Sequence, residues 1–181
     1  MAAAIETGVS LRTFNTFGVE ARASYFASVR DIGQLRDALA DPRVAGLPRL
    51  ILGGGSNILF TRDFDGLVVK IDIPGYARIG DDGDRWLVRV GAGESWHGTV
   101  ARLLDDGLPG LENLALIPGS VGGAPIQNIN DSGFEVGGPP GDAGLEDRRR
   151  AGARRRQQQR AEGEHPPLLV VVRPRHCPGP A

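Results

Sequence analysis

The chain contains Leu50-Ile51-Leu52-Gly53-Gly54-Gly55-Ser56-Asn57-Ile58-Leu59-Phe60, in which three glycines separate two apolar runs. Successive glycines place no Cβ in the turn and permit positive φ angles, so neighbouring backbone N–H groups can converge on one anion. Ser56 and Asn57 add neutral side-chain donors. The segment predicts a strand followed by a diphosphate-binding loop, although a glycine turn between strands is often only structural.

A second segment of small residues strengthens the prediction of a binding site. It is Pro118-Gly119-Ser120-Val121-Gly122-Gly123-Ala124-Pro125, and it also follows an apolar stretch. Residues 53–57 are called the first glycine loop and residues 118–124 the second. Two such loops can close around a flat, extended cofactor from both sides.

Four motifs occur in one order within residues 11–136: Asn15-Thr16-Phe17-Gly18, the segment around the first glycine loop, Gly91-Ala92-Gly93-Glu94-Ser95-Trp96-His97, and the run from Gly107 to Ile129. Together they resemble the UDP-N-acetylenolpyruvoylglucosamine reductases. These flavoenzymes of bacterial cell-wall precursor synthesis are also called UDP-N-acetylmuramate dehydrogenases.

The resemblance implies an α+β fold, the FAD-binding domain of the vanillyl-alcohol-oxidase and p-cresol-methylhydroxylase type. In that fold two small α+β subdomains hold FAD between them. We expect residues 1–10 to be an N-terminal extension, 11–73 the first subdomain, and 76–136 the start of a second, incomplete subdomain. The sheet of an incomplete second subdomain would be only partly covered, with an exposed edge and an apolar patch.

The resemblance also implies a reaction and a set of binding residues. In the family NADPH reduces FAD, and the flavin passes hydride to the enolpyruvyl double bond of a UDP-sugar. The first loop is expected to wrap the FAD diphosphate and the second to pass close to the flavin and its linker; the matching residues are Gly53, Gly54, Gly55, Ser56, Asn57, Pro118, Gly119, Ser120, Gly122, Gly123 and Ala124. For Asn57 the alternative is a cap on its own loop.

The chain departs from the family pattern after Gln127-Asn128-Ile129. The family usually continues Gly-Ala-Tyr-Gly, whereas this chain has Asn130-Asp131-Ser132-Gly133, and nothing matches beyond Val136. The family's catalytic arginine, serine and glutamate lie downstream of the match, so no catalytic residue is assigned. We expect the chain to lack the substrate domain and to be inactive alone.

Residues 137–181 form a tail rich in Arg, Gly and Pro. A disordered extension, a nucleic-acid-binding arm and an out-of-frame translation all remain open. Lys70 is the only lysine among 21 basic residues, which is typical of a GC-rich gene and favours the frame shift. The tail has no aromatic residue for base stacking, so a nucleic-acid partner is the least favoured. Leu168 to Val172 is apolar enough for a strand but has no obvious partner.

Two other interpretations of the folded part compete with the FAD-binding one. A Rossmann-type nucleotide domain would need its third glycine at Ile58, where it is absent. A non-enzymatic nucleotide-binding or interaction module with a basic tail stays open, and flavin absorbance would distinguish it from the FAD family.

Composition narrows the class of protein. The formal net charge is -1, and the single cysteine, Cys177, excludes a disulfide framework. No stretch reaches the ~20 apolar residues that span a bilayer, so we expect a cytoplasmic protein without a membrane partner. Asp81, Asp82 and Asp84 lack the calcium-loop spacing, and no metal site is expected.

Local patterns predict the elements. Strands are expected at 23–29, 49–53 and 67–73, a hairpin at 76–80 and 85–90, and helices at 31–40 and 95–106. Ile32, Leu35 and Leu39 would share the apolar face of the first helix. Oligomeric state is not predicted.

Four polar residues in or near the motifs are predicted to have structural roles. His97 lies about 100° around a helix from Trp96, so a surface or loop contact is favoured over catalysis. Glu94 is expected to orient the adjoining loop. Glu112 and Asn113 are expected to make structural hydrogen bonds beneath the second glycine loop.

Overall fold

The computed structural model describes residues 4–81, 86–127, 129–131, 134–135 and 168–172. The strands and helices, numbered in chain order, are β1 Glu6–Ser10, β2 Arg22–Val29, α1 Ile32–Ala40, β3 Arg49–Leu52, β4 Phe64–Ile71, β5 Tyr76–Asp81, β6 Trp86–Val90, α2 Trp96–Asp105, β7 Asn130–Asp131, β8 Phe134–Glu135 and β9 Leu168–Val172. The mixture of sheets and two helices confirms the predicted α+β class.

The first sheet has the order β1-β2-β4-β3. Strands β2, β4 and β3 run parallel, and β1 is antiparallel to β2. The carboxyl ends of the three parallel strands therefore lie at one edge, where open α/β sheets bind ligands. The first glycine loop leaves β3 at this edge. Residues 6–10, expected to belong to an extension, form β1.

Strand β4, within the strand predicted at 67–73, is buried on both faces. Leu67, Val68 and Val69 are all 0 % exposed. Val68 packs with Leu11 and Phe26 in one cluster, whereas its two neighbours join a cluster on the opposite face. A central parallel strand is commonly covered on both sides, so its sequence does not alternate.

Helix α1 begins as predicted but buries a different residue. The Asp31 carboxylate accepts a hydrogen bond from the Gln34 N–H at 2.7 Å, which caps the first turn. Ile32, predicted on the apolar face, is 42 % exposed, while Ala38 is buried. Leu35 and Leu39, also predicted on that face, pack against the cluster that contains Ala38.

The second sheet has the order β5-β6-β9. The predicted hairpin is confirmed, since Tyr76 pairs with Val90 and Asp81 with Trp86. Strand β9 pairs antiparallel with β6 along its whole length. The apolar run Leu168–Val172, for which the sequence indicated no partner strand, therefore pairs with β6. The remainder of the tail, with Cys177, and the predicted turn residues 82–85 lie outside the described residues.

Helix α2 covers the second sheet. Trp96, Val100 and Leu103 are buried with Val88 and Val90 in a third cluster. The Trp96 indole N–H also donates to the Leu114 carbonyl at 2.8 Å. Gly107 follows the helix with φ +71°, the left-handed position expected of a C-terminal glycine.

Candidate diphosphate-binding site

The two glycine loops contact each other, although they lie about 60 residues apart in the sequence. The Ser56 hydroxyl donates to the Pro118 carbonyl at 3.2 Å. A Cβ on Gly54 would lie 3.0 Å from the Gly119 Cα, and one on Gly53 would lie 2.5 Å from the Ser120 Oγ. The second loop therefore favours glycine at both positions, more strongly at Gly54, where the neighbour is backbone, than at Gly53, where it is a side-chain hydroxyl. We call this contact the loop junction.

Gly55 is required for a different reason. It alone in the Gly53-Gly54-Gly55 run has a positive φ, +69°, and a Cβ there would overlap the Phe14 carbonyl. Its own carbonyl accepts a hydrogen bond from the Thr16 N–H at 3.1 Å. The three glycines were predicted to admit an anion, with a purely structural turn as the alternative, and each of them also fits a protein neighbour.

Asn15 organises the segment that supports Gly55. It is 6 % exposed, and its amide nitrogen donates to the carbonyls of Leu11 at 2.8 Å and Val19 at 3.0 Å. Its amide oxygen accepts from the Val19 N–H at 3.0 Å. The motif 15–18 is thus a rigid turn beneath the first loop, a role that its residue types alone did not reveal.

Backbone donors at the loop junction are free. Within the described residues, the N–H groups of 54–57 and of Gly119 and Ser120 donate to no protein acceptor. Unpaired backbone donors concentrated in two touching loops are what a diphosphate would satisfy.

Ser120 adds a side-chain donor at the same place. It is 6 % exposed, and its hydroxyl has no hydrogen-bond partner in the part of the chain that the structure describes. A buried hydroxyl without a partner costs about 1–3 kcal/mol of free energy, and a ligand atom that accepts its hydrogen bond would remove this cost. It lies over Gly53.

The remaining residues of the second loop face the protein. The N–H groups of Val121 and Gly122 donate to the carbonyls of Glu94 and Ala92, both at 2.9 Å. The N–H groups of Gly123 and Ala124 donate within the loop. Gly122, Gly123 and Ala124 therefore shape the loop, and their contact with a cofactor stays a prediction.

Asn57 is exposed, and its side chain makes no hydrogen bond within the described residues. The alternative role, a cap on its own loop, would need a side-chain hydrogen bond of this kind, and none is present among the described residues. The amide is open toward solvent, and its assignment as a ligand stays a prediction.

Two opposite charges near this sheet edge, those of Lys70 and Asp72, are paired with each other. The Lys70 ammonium lies 2.7 Å from the Asp72 carboxylate, which also accepts from the Ser28 hydroxyl at 2.7 Å. Burial raises the pKa of Asp72, but these hydrogen bonds and the charge of Lys70 outweigh it, so the pKa is lowered overall. The candidate site thus offers neutral donors to an anion.

His97 makes the loop contact predicted for it, whereas Glu112 bonds within its own turn and not beneath the second glycine loop, and no side-chain hydrogen bond of Asn113 is found among the described residues. The His97 Nδ1 accepts from the Leu116 N–H at 3.2 Å. The Glu112 carboxylate accepts from the Gly110 N–H at 2.9 Å. Leu116 has φ +64° and is 79 % exposed, two residues before Pro118.

The described residues offer neither a metal site nor a membrane-spanning helix. Across the described residues, no group of three or more His, Cys, Asp or Glu side chains is placed to hold a metal ion. Nor does any helix of the described part have the length and apolar character to cross a membrane.

Comparison with known proteins agrees with this geometry. Residues 23–143 match the FAD binding domain family model. The chain is 56 % identical over 126 residues to a UDP-N-acetylenolpyruvoylglucosamine reductase from Cupriavidus pinatubonensis, and 57 % identical over 127 residues to one from Burkholderia mallei. Each match covers 70 % of this chain and 37 % of the relative, so the chain spans little more than a third of their length.

A crystal structure of UDP-N-acetylenolpyruvylglucosamine reductase (MurB) from Thermus caldophilus is also similar. Its TM-score is 0.52 at 28 % identity, over 75 % of this chain and 45 % of that one. The resemblance seen in the four sequence motifs is confirmed.

Proposed function

Because the chain belongs to the FAD binding domain family, we propose that its loop junction holds the diphosphate of FAD. The observation that carries the proposal is the buried Ser120 hydroxyl, which has no partner among the described residues, beside N–H groups of Gly119 and of residues 54–57 that are free there too. Neutral donors converging on one point suit a diphosphate, whose charge they satisfy without a bound cation.

Each part of the junction has a distinct task in this proposal. The free amides and the Ser120 hydroxyl bind phosphate oxygens. Asn15 and Thr16 hold Gly55 in its left-handed conformation from below. Ser56 ties the first loop to Pro118, so both loops present their donors in a fixed geometry before the cofactor arrives.

For the whole protein we propose the activity after which its relatives are named, the reduction of UDP-N-acetylenolpyruvoylglucosamine. When bound, FAD would supply the redox chemistry, accepting hydride from NADPH and delivering it to the enolpyruvyl double bond. This reaction makes UDP-N-acetylmuramate for peptidoglycan, and we place it in the cytoplasm.

For the 181-residue chain itself we propose cofactor binding without turnover. The family's catalytic arginine, serine and glutamate have no counterpart in the matched segment. NADPH-dependent reduction of the enolpyruvyl substrate by the purified chain would contradict this part of the proposal.

The direct test of cofactor binding is an absorption spectrum. The purified chain is incubated with FAD, desalted and scanned in the visible range. Retained flavin bands support the proposal, whereas a colourless protein that remains folded by circular dichroism contradicts it and favours an interaction module.

Ser120→Ala sharpens the test. Loss of a hydrogen bond to a charged group costs about 1.5–3 kcal/mol, so FAD affinity should fall by roughly 10- to 100-fold. Ser24→Ala is the matched control, because its hydroxyl bonds to Asp65 on the exposed surface of β2 and β4. The control should bind FAD like the unsubstituted chain.

A further inference from the structure

The segment between the two sheets is clamped by the turn at residues 91–94. This linker, residues 72–75, receives hydrogen bonds at two carbonyls: the Gly91 N–H donates to Gly75 at 2.7 Å, and the Gly93 N–H donates to Ile73 at 2.9 Å. A Cβ on either Gly91 or Gly93 would overlap the linker backbone. The turn therefore lies flat on the linker, without space for a side chain at two of its positions.

The other side of the same turn carries the second glycine loop. The Ala92 carbonyl accepts from the Gly122 N–H, and the Glu94 carbonyl accepts from the Val121 N–H, both at 2.9 Å. A Cβ on Gly122 would lie 2.8 Å from the Ala92 Cβ. Linker, turn and second loop thus form three layers in contact.

One side chain joins the layers from the turn to the linker. The Glu94 carboxylate accepts a hydrogen bond from the Gly75 N–H at 2.9 Å. Gly75 has φ +138°, a conformation that side chains rarely adopt, so its peptide orientation must be fixed by its partners. The adjacent Gly75 carbonyl is bonded to Gly91, and both ends of this residue are held by the turn.

We propose that Glu94 is a positioning residue for the cofactor. By holding Gly75 in place, Glu94 fixes the position of residues 91–94 on the linker. These residues in their turn fix the position of the second glycine loop relative to the first. Donors on the two loops can then address one diphosphate together. The consequence for the cofactor rests on the proposed function, whereas the mechanical coupling does not.

The chain offers a matched control. Glu112 also uses its carboxylate to accept from a glycine N–H, that of Gly110, at the same 2.9 Å and with a similar glycine φ of +137°. It lies outside the three layers. Glu94→Ala and Glu112→Ala therefore remove the same kind of hydrogen bond, and only the first removes it from the turn and linker.

The first experiment uses the chain without cofactor and measures amide hydrogen exchange. Glu94→Ala should speed exchange at the N–H groups of Val121 and Gly122 by about fivefold to tenfold relative to Glu112→Ala. Glu94→Gln keeps an oxygen acceptor of the same reach and should restore slow exchange. Glu94→Asp, with a carboxylate one methylene shorter, should resemble the alanine variant and is the alternative if that variant fails to fold.

The second experiment measures FAD dissociation constants by quenching of flavin fluorescence. Glu94→Ala should weaken binding about fivefold, Glu94→Gln and Glu112→Ala less than twofold. Equal exchange at Val121 and Gly122 in Glu94→Ala and Glu112→Ala would overturn the coupling. Faster exchange with unchanged FAD affinity would overturn the positioning role. If the unsubstituted chain binds no FAD, the proposed function fails, and the exchange experiment still decides the coupling.

Discussion

Gly55 combines two constraints that its neighbours in the glycine run do not share. Its φ is +69°, and its Cα faces the Phe14 carbonyl so closely that no Cβ fits. Gly46 has a similar φ of +75° but open space around it. The two residues therefore separate the cost of a left-handed backbone from the cost of a clash.

Gly55→Ala should destabilise the chain more than Gly46→Ala. A left-handed conformation costs a non-glycine residue about 1–2 kcal/mol, which both variants incur. Gly55→Ala must in addition displace the motif 15–18 beneath the loop, which should bring its loss of unfolding free energy to about 3 kcal/mol or more. Urea denaturation measures both values. Equal losses would show that the Phe14 contact yields without cost.

Tyr76 should make stability depend on alkaline pH. Its hydroxyl donates to the Asp106 carboxylate at 2.7 Å, and the Arg102 guanidinium lies 4.0 Å from the centre of its ring. Burial, followed by the hydrogen bond and charge of Asp106, raises the pKa of Tyr76 to about 12. The folded state favours the neutral phenol, so this stabilisation is complete below the unfolded pKa of about 10 and is lost as pH rises toward 12.

Tyr76→Phe is the test of that pH dependence. The variant should be less stable than the unsubstituted chain at pH 8, by about 1 kcal/mol for the lost hydrogen bond. The difference should shrink between pH 10 and 11 in urea titrations. Tyr25→Phe, outside this cluster, serves as the control. A difference that stays constant with pH would contradict the assigned cause.

At the scale of the elements, the sequence predicted a helix correctly where its apolar pattern and its capping residue lie in the same short segment. Helix α1 follows from Asp31 and Gln34, and α2 ends just before Gly107, close to the end that its sequence predicts. Strand β1 was missed because Glu6–Ser10 has no apolar alternation and is fixed only by pairing with β2. The partner of β9 was missed because it lies about 80 residues earlier in the chain.

Strand β9 should stabilise the second sheet. It pairs with β6 from Trp86↔Val172 to Val90↔Leu168, so its removal exposes the backbone groups of β6 on that side. Deletion of residues 168–181 should lower the melting temperature by at least about 5 °C, whereas deletion of 173–181 alone should leave it unchanged. Equal melting temperatures for the two truncated chains would show that β9 adds nothing to stability.

Across the whole molecule, the candidate site arises where distant segments meet. Sequence alone predicted that both glycine loops belong to one site, but not that they touch. The contacts of Gly54 with Gly119 and of Ser56 with Pro118 directly join the half of the molecule that contains the first sheet to the half that contains the second sheet. No local pattern encodes a contact between segments so far apart. The unpaired Ser120 hydroxyl likewise becomes visible only once its burial is known.

The two halves have separate cores. Two hydrophobic clusters lie on the faces of the first sheet, and a third lies between the second sheet and α2. The described covalent and hydrogen-bonded connections between the halves are concentrated in the linker and the loop junction. A ligand that binds both loops would therefore add a third connection and make unfolding more cooperative.

FAD should bring the unfolding transitions of the two halves together. Both tryptophans, Trp86 and Trp96, lie in the second half, so tryptophan fluorescence follows that half while far-UV circular dichroism follows both. Without FAD we expect the two thermal transitions to differ. At FAD concentrations of about 100 times the dissociation constant, binding adds about 2.7 kcal/mol, and the transitions should coincide at a higher temperature. Ser120→Ala should need more FAD to reach the same state. If the transitions stay as far apart with FAD as without it, the cofactor does not bridge the two halves.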